Sequence, residues 1–163
     1  MFKLRNAVFA GLAIALTGCG MADKLGASRA YNYATLLHSQ EARGIGVGAE
    51  APFRDSPFTL GIEAGAFRNS DDESSGYALT HVELDLIETQ PRNPRIGAFI
   101  GFVNDRERAK RFDDRYPVLG NFLPFVGVQL TVPTVGPHEF RMRISPGYSA
   151  ETAIFSIQSN IVF

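Results

Sequence analysis

The sequence predicts an all-β protein: an eight-stranded antiparallel transmembrane β-barrel. Beyond residue 30 there is almost no helix-period pattern, only short alternating runs broken by turn residues. Sixteen glycines and nine prolines argue against a helical bundle. Sorting the runs by parity separates an uncharged apolar face from a glycine-rich face that holds the charges.

The chain opens MFKLRN, with Lys3 and Arg5 ahead of the short apolar run AVFAGLAIAL. That run is far shorter than the roughly 20 residues a membrane helix needs. It reads as a secretion signal over 1–18, to be set aside from the fold. "LTGC" (16–19) resembles the lipobox of bacterial lipoproteins, which implies cleavage before Cys19 and lipid attachment there. An ordinary signal peptide is the alternative. Gly20 follows, and with no aspartate there nothing argues for retention in the inner membrane. Residues 19–30 then form a lipidated linker and 31–163 the barrel. Cys19 is the single cysteine, so the chain can close no disulfide within itself.

Strand one is expected at 31–38, with Asn32 and Leu36 facing the lumen and His38 at its outer end. Strand two, 44–51, points Ile45 and Val47 out and Glu50 in. Strand three, 58–68, points Leu60, Ile62 and Ala64 out and Glu63, Gly65 and Phe67 in. Strand four, 77–88, alternates Val82, Leu84 and Leu86 with Leu79, His81, Glu83 and Asp85. Strand five, 95–103, alternates Ile96, Ala98, Ile100 and Phe102 with Phe99 and Gly101. Strand six, 121–132, sends Phe122, Val126, Val128 and Leu130 out and Leu123 and Gln129 in. Strand seven, 138–144, separates Phe140, Met142 and Ile144 from Arg141 and Arg143. Strand eight, 152–163, separates Phe155, Ile157, Ile161 and Phe163 from Ile154, Gln158 and Asn160.

A soluble sandwich would turn its apolar face inward. Here the charges share a face with the glycines, as the tight interior of a small barrel requires. Apolar outside, polar inside and an even strand number fit a membrane barrel. A soluble lipocalin-like barrel with the faces reversed is the alternative; it would expose Glu83, Asp85, Arg141 and Arg143 and line a ligand cavity with the apolar face.

The connections alternate between proline-bearing turns (51–57, 89–94, 133–137) and looser polar loops (68–76, 104–120, 145–151). The long loops belong outside, which puts both termini in the periplasm. The expected location is the bacterial outer membrane, with the Cys19 lipid on the periplasmic side. Phe163 resembles the C-terminal signal of barrels inserted by the barrel assembly machinery. In this orientation the outer half of the lumen receives Leu36, Gly65, Phe67, Leu79, Phe99, Gly101, Leu123 and Ile154. The other half receives Glu63, Glu83, Asp85, Arg141 and Arg143, a polar floor that is affordable only as a satisfied network. Such a floor disfavours a pore. An apolar recess above it would suit an acyl chain, or these residues simply fill the barrel.

Three stretches, "AGAFRNSDDESSGYA" (64–78), "PVLGNFLPFVGVQLT" (117–131) and "FRMRISPGYSAETAIFSIQSNIVF" (140–163), together with "GIGVGAE" (44–50), resemble the lipid A palmitoyltransferases. The likeness covers roughly 38–163. It implies transfer of an acyl chain from phospholipid to lipid A, with a His ending strand one and an Asp-Ser pair after strand three. His38 takes the first place, and Asn69 and Ser70 take the pair, so the carboxylate is an amide. Asp71 and Asp72 follow directly. A base must take the hydroxyl proton in acyl transfer, and in the Ser-His-Asp template an Asp→Asn change costs about 10⁴ in turnover. The lipobox and the short stretch MADKLGASRA before strand one also depart from the family. The rival expectation is therefore a non-enzymatic small barrel with a structural or surface role.

A net charge of −1 speaks against nucleic acid as a partner. The partners expected are outer-membrane phospholipid and lipopolysaccharide, with the barrel assembly machinery during biogenesis, and the chain is expected to be a monomer. No cofactor is called for. His38, His81 and His138 show no metal-ligand spacing. Asp71-Asp72-Glu73 reads more as a solvated loop tip than as a cation site, and loop 104–120, with five basic and four acidic residues, reads as a solvated or phosphate-contacting surface.

Overall fold

The computed structural model describes residues 29–38, 43–53, 56–68, 74–87, 93–104, 121–146 and 153–162. These form eight strands: β1 (Arg29–His38), β2 (Arg43–Pro52), β3 (Phe58–Arg68), β4 (Ser74–Asp85), β5 (Arg95–Asn104), β6 (Phe122–Pro133), β7 (His138–Pro146) and β8 (Ala153–Val162). Each pairs antiparallel with its sequence neighbour, and β1 pairs with β8, closing the barrel. Closure removes the two free edge strands that an open sheet would carry.

The alternation read from sequence is the alternation that closes the barrel. Ile100 is 52% exposed and Val128 56%, while Arg141 and Glu83 are fully buried at 0%. The barrel turns most of its aliphatic side chains outward and most of its described charges inward. No described helix is long and apolar enough to cross a membrane; a barrel would cross with strands.

Strand β1 departs from expectation. Tyr31 and Tyr33 point into the lumen and are buried, so Asn32 lies on the outward parity, opposite Val47 of β2 and Ile161 of β8. The reason lies in the partner strand. Tyr31 pairs with Gly48 and Tyr33 with Gly46, and a Cβ on either glycine would overlap the phenol ring opposite it. Gly65 of β3 similarly cedes its place to the Tyr33 hydroxyl. A register irregularity between Thr35 and Leu37 then shifts the alternation, and His38 pairs with Ser156.

β1 starts at Arg29, two residues before the expected barrel start. β4 runs from Ser74 to Asp85 rather than 77–88. Leu86 N–H still donates to the Pro94 carbonyl at 2.9 Å, but Pro94 has no N–H to return, and the ladder ends. The β6–β7 turn is tight: Thr134 N–H meets the His138 carbonyl at 3.0 Å, and Gly136 takes the left-handed φ of 71°. The connections 53–57, 86–94 and 134–137 share one end of the barrel, the turn end, with Arg29 and Val162; 39–42, 69–73, 147–152 and the longest connection, 105–121, join strands at the other, the loop end.

Candidate functional site: the lumen and its loop-end rim

The lumen is built in two layers. Toward the turn end and the middle lies a charge network of four arginines and four glutamates: Arg29, Arg95, Arg141 and Arg143 with Glu50, Glu63, Glu83 and Glu139. Arg95 reaches Glu50 at 2.7 Å, Glu139 at 3.2 Å and Glu83 at 3.3 Å. Arg29 closes onto Glu139 at the end of the lumen.

Arg141 is the centre. Its Nη2 donates to Glu50 Oε1 at 2.5 Å, its Nη1 to Tyr31 Oη at 2.8 Å and Glu63 Oε2 at 3.2 Å, and its Nε to Thr131 Oγ1 at 3.0 Å. The guanidinium also lies 4.8 Å from the Tyr31 ring centroid. Arg143 donates both Nη atoms to Glu63, at 2.6 and 2.8 Å, and its Nε to Gln129 at 2.8 Å. Gln129 passes a hydrogen bond on to Glu83 at 2.9 Å. Tyr31 and Tyr77 donate to Glu63 at 3.0 and 2.6 Å. Buried charges in apolar surroundings survive only with such pairing.

Of the expected polar floor, Glu63, Glu83, Arg141 and Arg143 all join this network. Asp85 ends β4 opposite Arg95 and is half-buried. Sequence reading missed Tyr31, Tyr33, Tyr77, Arg95 and Glu139. Parity could have found the last three, because each shares its strand's inward register with residues already assigned there; Tyr31 and Tyr33 were hidden by the inverted reading of β1.

Glu50, His81 and Glu83 bring donor atoms within 4.8 Å of one another, the one grouping of this kind among the described residues. Arg141 Nη2 stands 2.5 Å from Glu50 Oε1 and 3.7 Å from Glu83 Oε2. The guanidinium supplies the positive charge a metal ion would otherwise bring to these oxygens.

The second layer, nearer the loop end, is apolar. Tyr77 meets Phe67 and Phe125 with ring centroids 6.3 Å apart, and Phe125 meets Phe99 at 5.8 Å. Leu123 and Val103 are buried beside them. Phe67, Phe99 and Leu123 thus sit where expected, and Gly101 packs on Leu79. Gly65 lies beneath the Tyr33 hydroxyl, so side chains rather than an open recess cover it. Ile154 is half-buried on the inward parity of β8.

The candidate catalytic residues relate differently to the described fold. His38 ends β1 at the loop end; its backbone is placed opposite Ser156, while its side chain lies outside the described residues, as does that of Leu36. Asn69 and Ser70 follow directly on Arg68, the loop-end terminus of β3, and lie outside the described residues, as do Asp71, Asp72 and Cys19. β1 and β3 flank β2, so His38 and Arg68, the residue before Asn69, end their strands at the same end of the barrel, two strands apart. No protein-family model matches the chain, and no curated protein matches it.

Proposed function

We propose that this chain is an outer-membrane β-barrel lipoprotein that spans the bilayer, conducts nothing, and acts at its loop-bearing end on the lipid leaflet around it. The carrying observation is the pairing of an exposed aliphatic wall with a lumen closed by a neutralised charge network. An aliphatic exterior is stable in hydrocarbon and costly in water. Four arginines against four glutamates, each buried or half-buried, leave no wide aqueous path between them. The non-enzymatic role, structural or surface-interacting, fits the packed aromatic layer best, because its rings occupy the lumen where an acyl chain would lie.

A second reading, acyl transfer from phospholipid to lipid A, is favoured by the register irregularity between Thr35 and Leu37, just before β1 ends at His38. Bulges concentrate where a strand end is re-aimed for function. His38 would be the base, Ser70 its partner, and Asn69 the substitute for a carboxylate.

Purified protein is expected to show a heat-modifiable gel shift in detergent and no stepwise conductance in planar bilayers. Stable channels of defined size would overturn the sealed-barrel reading. Mass spectrometry of lipid A from cells with the protein, without it, and with His38→Ala separates the two roles. One added acyl chain that disappears with His38→Ala establishes the transferase; unchanged lipid A leaves the structural or surface role.

A further inference from the structure

We propose that the turn end of the barrel is itself a lipid-binding surface, its three connections dipping exposed apolar side chains into the leaflet there at the level of the head groups. This rests on the lipid-embedded reading above. Phe53 opens the β2–β3 connection, Leu86 and Ile87 follow β4, and Val135 tips the β6–β7 turn. All four lie beyond the last paired residues of their strands. The first three are about as exposed as Ile100 on the wall, and Val135 is more exposed still.

A lone exposed aliphatic residue needs no explanation. One on every connection at the same end does. These connections join β2 to β3, β4 to β5 and β6 to β7, so they stand at three separate positions around the closed sheet. A protein docking from one side would cover one or two of them, whereas a bilayer meets the whole rim at once. Phe58 and Phe140, both exposed near the same end, add the aromatic girdle expected where a barrel wall leaves hydrocarbon.

The backbone at this end is suited to the same surroundings. Phe53 N–H donates to the Phe58 carbonyl at 2.9 Å, and Phe58 N–H to Ser56 Oγ at 3.2 Å. Thr134 donates both its N–H and its hydroxyl to the His138 carbonyl, each at 3.0 Å. The Pro57 and Pro137 carbonyls accept from Asp85 N–H and Val162 N–H at 3.0 and 2.8 Å. Pro52, Pro57, Pro94, Pro133 and Pro137 have no N–H to satisfy. Water would serve free amides without help; a lipid setting requires that the chain serve its own.

Charge sets the depth. The same connections carry Arg54, Asp55, Glu88 and Arg92 in sequence. Charges are costly in the hydrocarbon core, so the rim belongs at the boundary of head groups and acyl chains.

The chain contains no tryptophan, so a single introduced one reports only its own depth. The test uses Phe53→Trp, Ile87→Trp and Val135→Trp, with Ile100→Trp as the mid-wall reference. Each full chain is folded into phosphatidylcholine vesicles whose acyl chains carry bromine at a known position. Expected is quenching of all three turn-end tryptophans, strongest with bromines nearest the head group, while Ile100→Trp is quenched most by bromines near the chain ends. If Ile100→Trp is quenched and the turn-end tryptophans are not, the connections project into water or onto a protein partner; the inference is overturned and the barrel reading stands. Quenching confined to one or two connections also overturns it, because a bilayer meets the whole rim. No quenching at any position, Ile100→Trp included, sinks the lipid-embedded reading and this inference with it. The heat-modifiable shift checks that each variant folds, and Phe53→Trp exchanges one exposed aromatic ring for another.

Discussion

Arg143 and Glu63 meet fork to fork across the whole width of the barrel. β7 and β3 stand four strands apart in either direction around the closed sheet, and both guanidinium Nη atoms reach the two carboxylate oxygens at 2.6 and 2.8 Å. Glu63 also accepts from Arg141, Tyr31 and Tyr77. One carboxylate thereby ties together β1, β3, β4 and β7.

Removing one partner of such a pair strands the other, at a cost of about 3–5 kcal/mol. Arg143→Met and Glu63→Gln are each expected to lower the urea midpoint of the detergent-folded barrel strongly. The double variant is expected to recover part of the loss, because neither charge is left alone. Additive losses in this double-mutant cycle would show that the pair is not coupled.

Gly65 tests how tightly the tyrosines are seated. A Cβ there would overlap the Tyr33 hydroxyl and approach the Ile45 carbonyl at 2.8 Å. Gly65→Ala is expected to cost about 1–3 kcal/mol, the range for overpacking. Tyr33→Phe in the same chain should restore part of that by removing the hydroxyl. Thermal unfolding followed by gel mobility measures both, and a Gly65→Ala barrel as stable as the native one would mean the tyrosine lies elsewhere.

Charge tolerance along the outer wall tests the proposed bilayer setting. Ile100 projects from the middle of β5, while Val135 sits at the tip of the β6–β7 turn and is 94% exposed. Ile100→Arg is expected to destabilise the lipid-folded barrel by about 2–4 kcal/mol, the midplane value for an arginine on a barrel wall. Val135→Arg should be nearly neutral. If the two substitutions cost the same in folding titrations into vesicles, the aliphatic wall does not face lipid.

The β8 amides make the opposite prediction to the network. Asn160 is fully buried, and among the described residues neither its Oδ1 nor its Nδ2 has a hydrogen-bond partner. Asn160→Val removes both orphaned groups and is expected to be neutral or stabilising by about 1 kcal/mol. Gln129→Val should instead destabilise, since Gln129 links Arg143 to Glu83. Chemical denaturation of the two variants, side by side, checks the contrast.

The amino-acid sequence by itself determined the barrel's class, strand number and most of its facing. A period of two carries through seven strands without ambiguity, because Val, Ile, Leu and Phe alternate there with Gly, Glu, Arg and Gln. That alternation already places Glu63, Glu83, Arg141 and Arg143 inside. In YNYATLLH the periodicity is equivocal, since tyrosine is both aromatic and polar, and the inward face of β1 was decided by the glycines of β2 opposite it. The strand ends, too, follow from pairing: β4 stops where Pro94 offers no amide.

Which charges meet was a matter for the tertiary structure alone. Parity says that a side chain enters the lumen, but strand stagger decides its depth and so its partners. Arg95 of β5 finds Glu50 of β2, and Arg141 of β7 finds Glu50 as well, from strands that are not neighbours. The same holds outside, where Arg43 and Arg68 lie twenty-five positions apart in sequence and become adjacent only through the β2–β3 register. Closing the sheet brings these charges together, and short-range electrostatics then selects among the pairs that closure permits.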